Sequence, residues 1–155
     1  MNLRIIRKSR PRLAPGDIFA AWPPDERYLF GRVISTTAKA GPDMPAILIY
    51  IYSARSQRKE APPLEQLSLK RLLIPPLMTN RRPWTEGYFE NVMWQPLTPD
   101  DVLPQHCFRA NGKYYDEQSR EIDRAVEPCG IWGLESFRTI DDGISMALGI
   151  RLAPE

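Results

Sequence analysis

Short apolar runs separated by turn residues, rather than helical stripes, dominate this chain. Pro15-Gly16-Asp17 is a turn signal, and Ile18 to Trp22 after it reads as a strand. Pro23-Pro24-Asp25-Glu26 interrupts, and Tyr28 to Ser35 follows as a second strand. In that second run Tyr28, Phe30, Arg32 and Ile34 share one face, and Leu29, Gly31, Val33 and Ser35 share the other. Two strands this close in sequence predict a hairpin, and Gly31 in mid-strand predicts a bulge or the close approach of a neighbour. Ala46 to Ser53, AILIYIYS, is apolar or aromatic almost throughout. That predicts a central strand buried on both faces.

Thr36 to Pro45 and Ala54 to Pro63 read as loops, and Leu64 to Arg71 has room for one or two helical turns. Pro75-Pro76 confines Leu72 to Leu77 to an edge or irregular strand, and Met78 to Pro83 is expected to turn. A further strand is expected near Tyr88 to Met93. Asn111-Gly112, between His106–Arg109 and Lys113–Asp116, is a strong hairpin signal. Ile131–Leu134 and Phe137–Ile140 are short strand candidates, and Leu3, Ile5 and Ile6 suggest a first edge strand. The one helix is expected at Asp141–Ile150, capped by Asp141 or Asp142, with Ile144 and Leu148 on its apolar stripe. The sum predicts a mainly β fold: an antiparallel curved sheet or small open barrel with a short C-terminal helix.

Composition narrows the class. The chain has 155 residues, the length of one ordinary domain, and residues 1–155 are read as such, with 1–12 as a basic lead-in. With 43% apolar and 26% charged residues it is neither mostly disordered nor collagen-like, and it is not a coiled coil or a disulfide-rich miniprotein. Sixteen prolines are about twice the usual ~5% share and argue against long helices. The basic N-terminus lacks the apolar region of a secretory signal. The longest apolar run, Ala46 to Tyr52, falls far short of the ~20 residues of a membrane helix. Cys107 and Cys129, without an export signal, are expected to stay reduced, and the chain is expected in the cytoplasm without membrane association.

The net charge of +2 hides an asymmetry: residues 1–84 hold 15 basic and 6 acidic side chains, residues 85–155 hold 6 and 13. Such asymmetry can mark a partner surface. The default expectation is that the halves interleave and the charges mix.

Candidate chemistry is sparse. His106 is the only histidine, so a hydrolytic triad would have to use it. No G-x-S-x-G elbow is present, and adjacent strand residues His106 and Cys107 point to opposite faces. The plainer expectation is a partly exposed histidine beside a small buried cysteine. His106, Cys107 and Cys129 lack a fourth soft ligand and a C-x-x-C spacing, so no metal site is assigned. No phosphate-cradling glycine loop is seen, and no cofactor is expected. The paired acids Asp25-Glu26, Asp100-Asp101, Asp116-Glu117 and Asp141-Asp142 each sit beside a turn or helix start and are assigned there. Arg81-Arg82-Pro83-Trp84 mixes cation and aromatic, as nucleic-acid clamps and protein interfaces do. The default reading puts Trp84 in the core and both arginines in water.

The order of these segments carries a resemblance. Gly16-Asp17-Ile18-Phe19-Ala20, Phe30-Gly31-Arg32-Val33-Ile34 and the Ile47–Tyr52 strand come first. Leu73-Ile74-Pro75-Pro76, Trp84 with Gly87-Tyr88-Phe89, and Gly130-Ile131-Trp132-Gly133 follow. The chain resembles the immunity protein 26 family of bacterial polymorphic-toxin systems over roughly residues 14 to 150. The resemblance implies a β-type fold and a non-enzymatic protein that binds a cognate toxin domain and blocks its action. Its motif residues look like fold determinants and do not mark the toxin-binding surface. Partner contacts are therefore assigned from exposed aromatics and charges: Arg81, Arg82, Trp84, Tyr88, Asp100, Asp101, Asp116 and Glu117. The alternative is a small β-barrel nucleic-acid-binding module using Arg4, Arg7, Lys8, Arg10, Arg12, Arg81, Arg82 and Trp84.

Overall fold

Alternating side chains along the strands build a sheet buried on both faces. In the computed structural model, which describes all residues 1–155, this sheet joins β1 (Asp17–Ala21), β2 (Tyr28–Lys39), β3 (Pro45–Ser56), β4 (Leu77–Thr79), β5 (Glu90–Trp94) and β10 (Leu134–Glu135) in the order β10-β4-β3-β2-β1-β5. All its ladders are antiparallel except β10–β4. A second sheet, ordered β8-β7-β6-β9, joins β6 (Cys107–Ala110), β7 (Lys113–Tyr115), β8 (Glu121–Ile122) and β9 (Cys129–Ile131). The two sheets do not close into a barrel. Two helices complete the fold, the single turn α1 (Arg82–Thr85) and the longer α2 (Phe137–Leu148). No helix is long and apolar enough to cross a membrane.

β3 shows why the central sheet holds. Ile47, Ile49 and Ile51 enter one core, with Phe19, Val33, Trp84, Phe89, Ile140 and Ile144. Leu48, Tyr50 and Tyr52 enter the other, with Ile18, Phe30, Met78 and Phe108. Each such apolar side chain contributes about 1.5–3 kcal/mol on burial. α1 and α2 cover the first face, while the second sheet covers the other through Phe108. Gly31 on β2 is crowded by the flanking strands β1 and β3. A Cβ there would fall 2.6 Å from Phe19 Cε2 and 2.7 Å from the Tyr50 carbonyl oxygen. Phe19 can then stack on Phe89, with centroids 4.3 Å apart, while Trp84 meets both edge-on.

The β1–β2 hairpin and the β6–β7 hairpin form as expected. Asn111 and Gly112 take φ of 51° and 75°, the left-handed pair that a tight two-residue turn demands. Leu64–Gln66 and Leu69–Arg71 form 3-10 turns. The two halves of the sequence interleave, since β5 pairs with β1 and β10 with β4.

Several local expectations are corrected. The Leu3 segment makes only an isolated bridge, Arg4 to Trp22, because its other N–H groups go to the Asp141 carboxylate and to the carbonyls of Gly87 and Trp84. β2 and β3 extend to Lys39 and Ser56, well into the expected loops. β4 begins at Leu77, once the prolines are passed, and lies inside the sheet rather than at its edge. Phe137–Ile140 is the first turn of α2, not a strand. Ser136, not Asp141, caps that helix by accepting the Thr139 N–H at 3.2 Å. Gly149 ends it at φ 69°.

Candidate functional site

The surface residues singled out by sequence divide between opposite sides of the central sheet. On the α1 side, Arg81 and Arg82 are exposed. Arg81 Nη1 donates to the Pro11 carbonyl at 3.3 Å, and Arg82 pairs with Glu86 at 3.2 Å. Arg82 also lies over the Phe137 ring at 5.1 Å, and Tyr88 stacks on that same ring at 5.3 Å. These two residues therefore flank the start of α2. Trp84 is fully enclosed, with Nε1 donating to Asn91 Oδ1 at 2.9 Å. A ring with no exposed surface offers a base or a partner no stacking platform, so Trp84 is a core residue and not a partner contact. The basic lead-in folds back here as well: Arg10 and Arg81 line one recess of about 240 Å³.

On the opposite side, a buried polar stripe runs between strands. Arg32 and Tyr50 are register partners on β2 and β3. The Arg32 side chain is 2% exposed, yet it reaches Asp101 at 3.4 Å and donates from Nη2 to the Gln95 carbonyl at 2.7 Å. Arg32 Nε and the neighbouring Tyr52 hydroxyl have no hydrogen-bond partner. Asp100 and Asp101 line an open recess of about 360 Å³ with Arg32 at its wall. Asp101 also closes its own 3-10 turn, accepting from the Thr98 N–H at 2.8 Å.

His106 is buried rather than partly exposed, because the loop leading into β6 packs it against Tyr50 of β3. Its Nε2 meets the Tyr50 hydroxyl at 2.5 Å and its Nδ1 meets Glu117 Oε2 at 3.0 Å. The Tyr50 oxygen also accepts the Leu103 N–H at 3.1 Å. Burial raises the Tyr50 hydroxyl to about 12. The hydrogen bond from His106 holds the Glu117 carboxyl below its ordinary value. Both ring nitrogens are thus committed inside the protein, and the three side chains tie β3, the loop before β6 and the turn after β7 together. Asp116 builds that turn, accepting the Gln118 and Arg120 N–H groups at 2.8 and 3.0 Å. Ser119 then donates to the Lys39 carbonyl at 2.6 Å, fastening the second sheet to the end of β2.

Cys107 and Cys129 are direct partners across the parallel β6–β9 ladder, with their sulfurs 2.9 Å apart. Both thiols are free and buried. Burial, and then the neighbouring Cys107, pushes the Cys129 thiol up to about 12, which disfavours the reactive thiolate.

No single concave site gathers the predicted residues. The Tyr50–His106–Glu117 relay escapes sequence reasoning because nothing in the spacing of three residues on different elements announces it. Its only sequence signal is polar side chains on otherwise apolar strand faces.

Residues 14–116, from the turn before β1 to the end of β7, match the sequence profile of the family described as Immunity protein 26. No curated protein matches the chain, and no solved structure does.

Proposed function

Because the chain belongs to the immunity protein 26 family, we propose that it is a cytoplasmic antitoxin that binds a cognate bacterial toxin domain and neutralises it by steric occlusion. The match across residues 14–116 carries this reading, since it spans β1 to β5 of the central sheet and β6 and β7 of the second one. Its own side chains perform no reaction. In support, the one histidine has both nitrogens engaged by Tyr50 and Glu117, and the two thiols face each other in the interior. The polar groups that could have suggested chemistry serve as internal ties.

The toxin-facing surface then lies among exposed and half-buried groups. On the α1 side, Arg81, Arg82 and Tyr88 stand beside α2. Asp100, Asp101, Asp116 and Glu117 form the alternative contact set, on the side of the buried polar stripe. Co-expression with the toxin encoded beside this chain tests the function. Survival together with co-purification of the two proteins is expected. Death of cells that contain folded immunity protein would refute it.

A further inference from the structure

A recess of about 350 Å³ opens between β9 and the outer face of α2. Leu77 and Ile140 form part of its wall. Ile131 and Met146, also in its lining, are 59% and 69% exposed, although large apolar side chains gain by burial. Two carboxylates stand in this apolar lining, Glu135 and Asp142. The Glu135 carboxylate makes no ion pair or hydrogen bond, and burial raises its pKa above the ordinary value. Asp142 forms a long i,i+4 ion pair with Arg138 Nε at 3.9 Å, and its buried Oδ1 has no hydrogen-bond partner. Arg109 is the one cation in the lining, and it makes no ion pair.

Ionised carboxylates only accept, so two of them without a hydrogen-bond donor in an apolar recess call for a cationic donor on an apolar stem. A lysine or arginine side chain has that form. The recess also lies mostly beyond the family's matched segment, since Cys129 to Met146 supply most of its lining. Its apolar wall and its acids together complement such a side chain in shape and charge.

We propose that the recess between β9 and α2 is the anchor pocket for a lysine or arginine protruding from the toxin domain. The stem packs on Ile131 and Met146, and the head is held by Glu135 and Asp142. The proposal rests on the antitoxin reading above, and it names the surface and the chemistry by which the partner is recognised.

The test measures binding of the full chain to an inactivated form of the toxin domain encoded beside it, with thermal melts as a folding control. The Glu135→Gln, Asp142→Asn double variant is expected to fold and to bind about tenfold more weakly or worse, as loss of charge-assisted hydrogen bonds dictates. Glu135→Lys is expected to lose binding, and reversal of one toxin lysine or arginine to glutamate is expected to restore it. Parental affinity in the double variant, while the unmodified chain binds, overturns the pocket and leaves the antitoxin function standing. Weakened binding that no toxin charge reversal restores gives the acids a structural part and also overturns it. A homodimer that Met146→Arg dissolves places a second copy on this face and overturns the pocket likewise. No binding by the unmodified chain removes both readings together.

Discussion

The Asp141 carboxylate, on the second turn of α2, accepts the backbone N–H of Leu3 at 2.6 Å. It also takes the Asn2 N–H at 3.0 and 3.1 Å, while Asn2 Nδ2 donates to Ser145 Oγ at 3.0 Å. The first residues of the chain are thus sewn onto the helix, and Leu3 is buried against Ile140 and Ile144 in the same core. This carboxylate does no helix capping. It satisfies donors of another segment that would otherwise be buried alone.

Asp141→Ala is therefore expected to cost about 1.5–3 kcal/mol, since it leaves the Leu3 donor without its charged acceptor. Asp141→Asn keeps an acceptor oxygen and should lose less. Urea denaturation measures both. An alanine variant as stable as the parent would show that the tie carries no weight.

Gly31→Ala should destabilise the fold by about 1–3 kcal/mol through overpacking. The added methyl has no room between the Phe19 ring and the Tyr50 carbonyl. The same substitution at Gly133, where nothing lies within 4 Å but φ is 132°, tests backbone strain without crowding. If Gly31→Ala melts at the parental temperature, the packing of the Phe19 ring on β2 is looser than described.

The buried relay gives a pH signature. Glu117 has a folded-state pKa below its ordinary value of 4.5. Its stabilising contribution is accordingly full above 4.5 and is lost as pH falls through the lowered folded value. The stability gap between the parent and Glu117→Gln should be wider at pH 7 than at pH 3. An equal gap at both would contradict the relay. His106→Ala should cost about 1–3 kcal/mol by orphaning the Tyr50 hydroxyl, while protection of cells persists wherever the variant is folded.

Glu135 has the opposite sign. Burial raises its folded-state pKa above the ordinary 4.5, so its ionised form weakens the fold once pH exceeds that raised value. Glu135→Gln is expected to raise the melting temperature at pH 7 to 8 and to leave it unchanged well below pH 4. A residue that costs stability while lining an open recess fits a binding role. Destabilisation by Glu135→Gln at neutral pH would show that the carboxylate already has a partner.

Features that depend on local spacing are legible in the sequence. AILIYIYS announces β3, and Asn111-Gly112 announces the β6–β7 hairpin. Phe137-Arg138-Thr139-Ile140 reads as a strand because aromatic and β-branched residues favour that state. Yet Ile140 stands four residues before Ile144 and eight before Leu148, so the helical stripe already begins there, with Ser136 as its cap. The expectation that Trp84 belongs to the core agrees with its burial, and that burial removes it from the partner contacts. The pairing of Cys107 with Cys129 and the Tyr50–His106–Glu117 relay are out of reach. Both depend on register between strands distant in sequence, which no local spacing encodes. The α2–β9 recess is hidden for the same reason, since its two acids matter only once α2 is docked beside β9.

Titration of the purified toxin's activity with this protein separates covering from chemistry. Activity should fall linearly and reach zero at one immunity molecule per toxin, with full recovery when the complex is dissociated. Complete and lasting inactivation by a small fraction of an equivalent would mean that each molecule acts repeatedly, and would contradict neutralisation by occlusion.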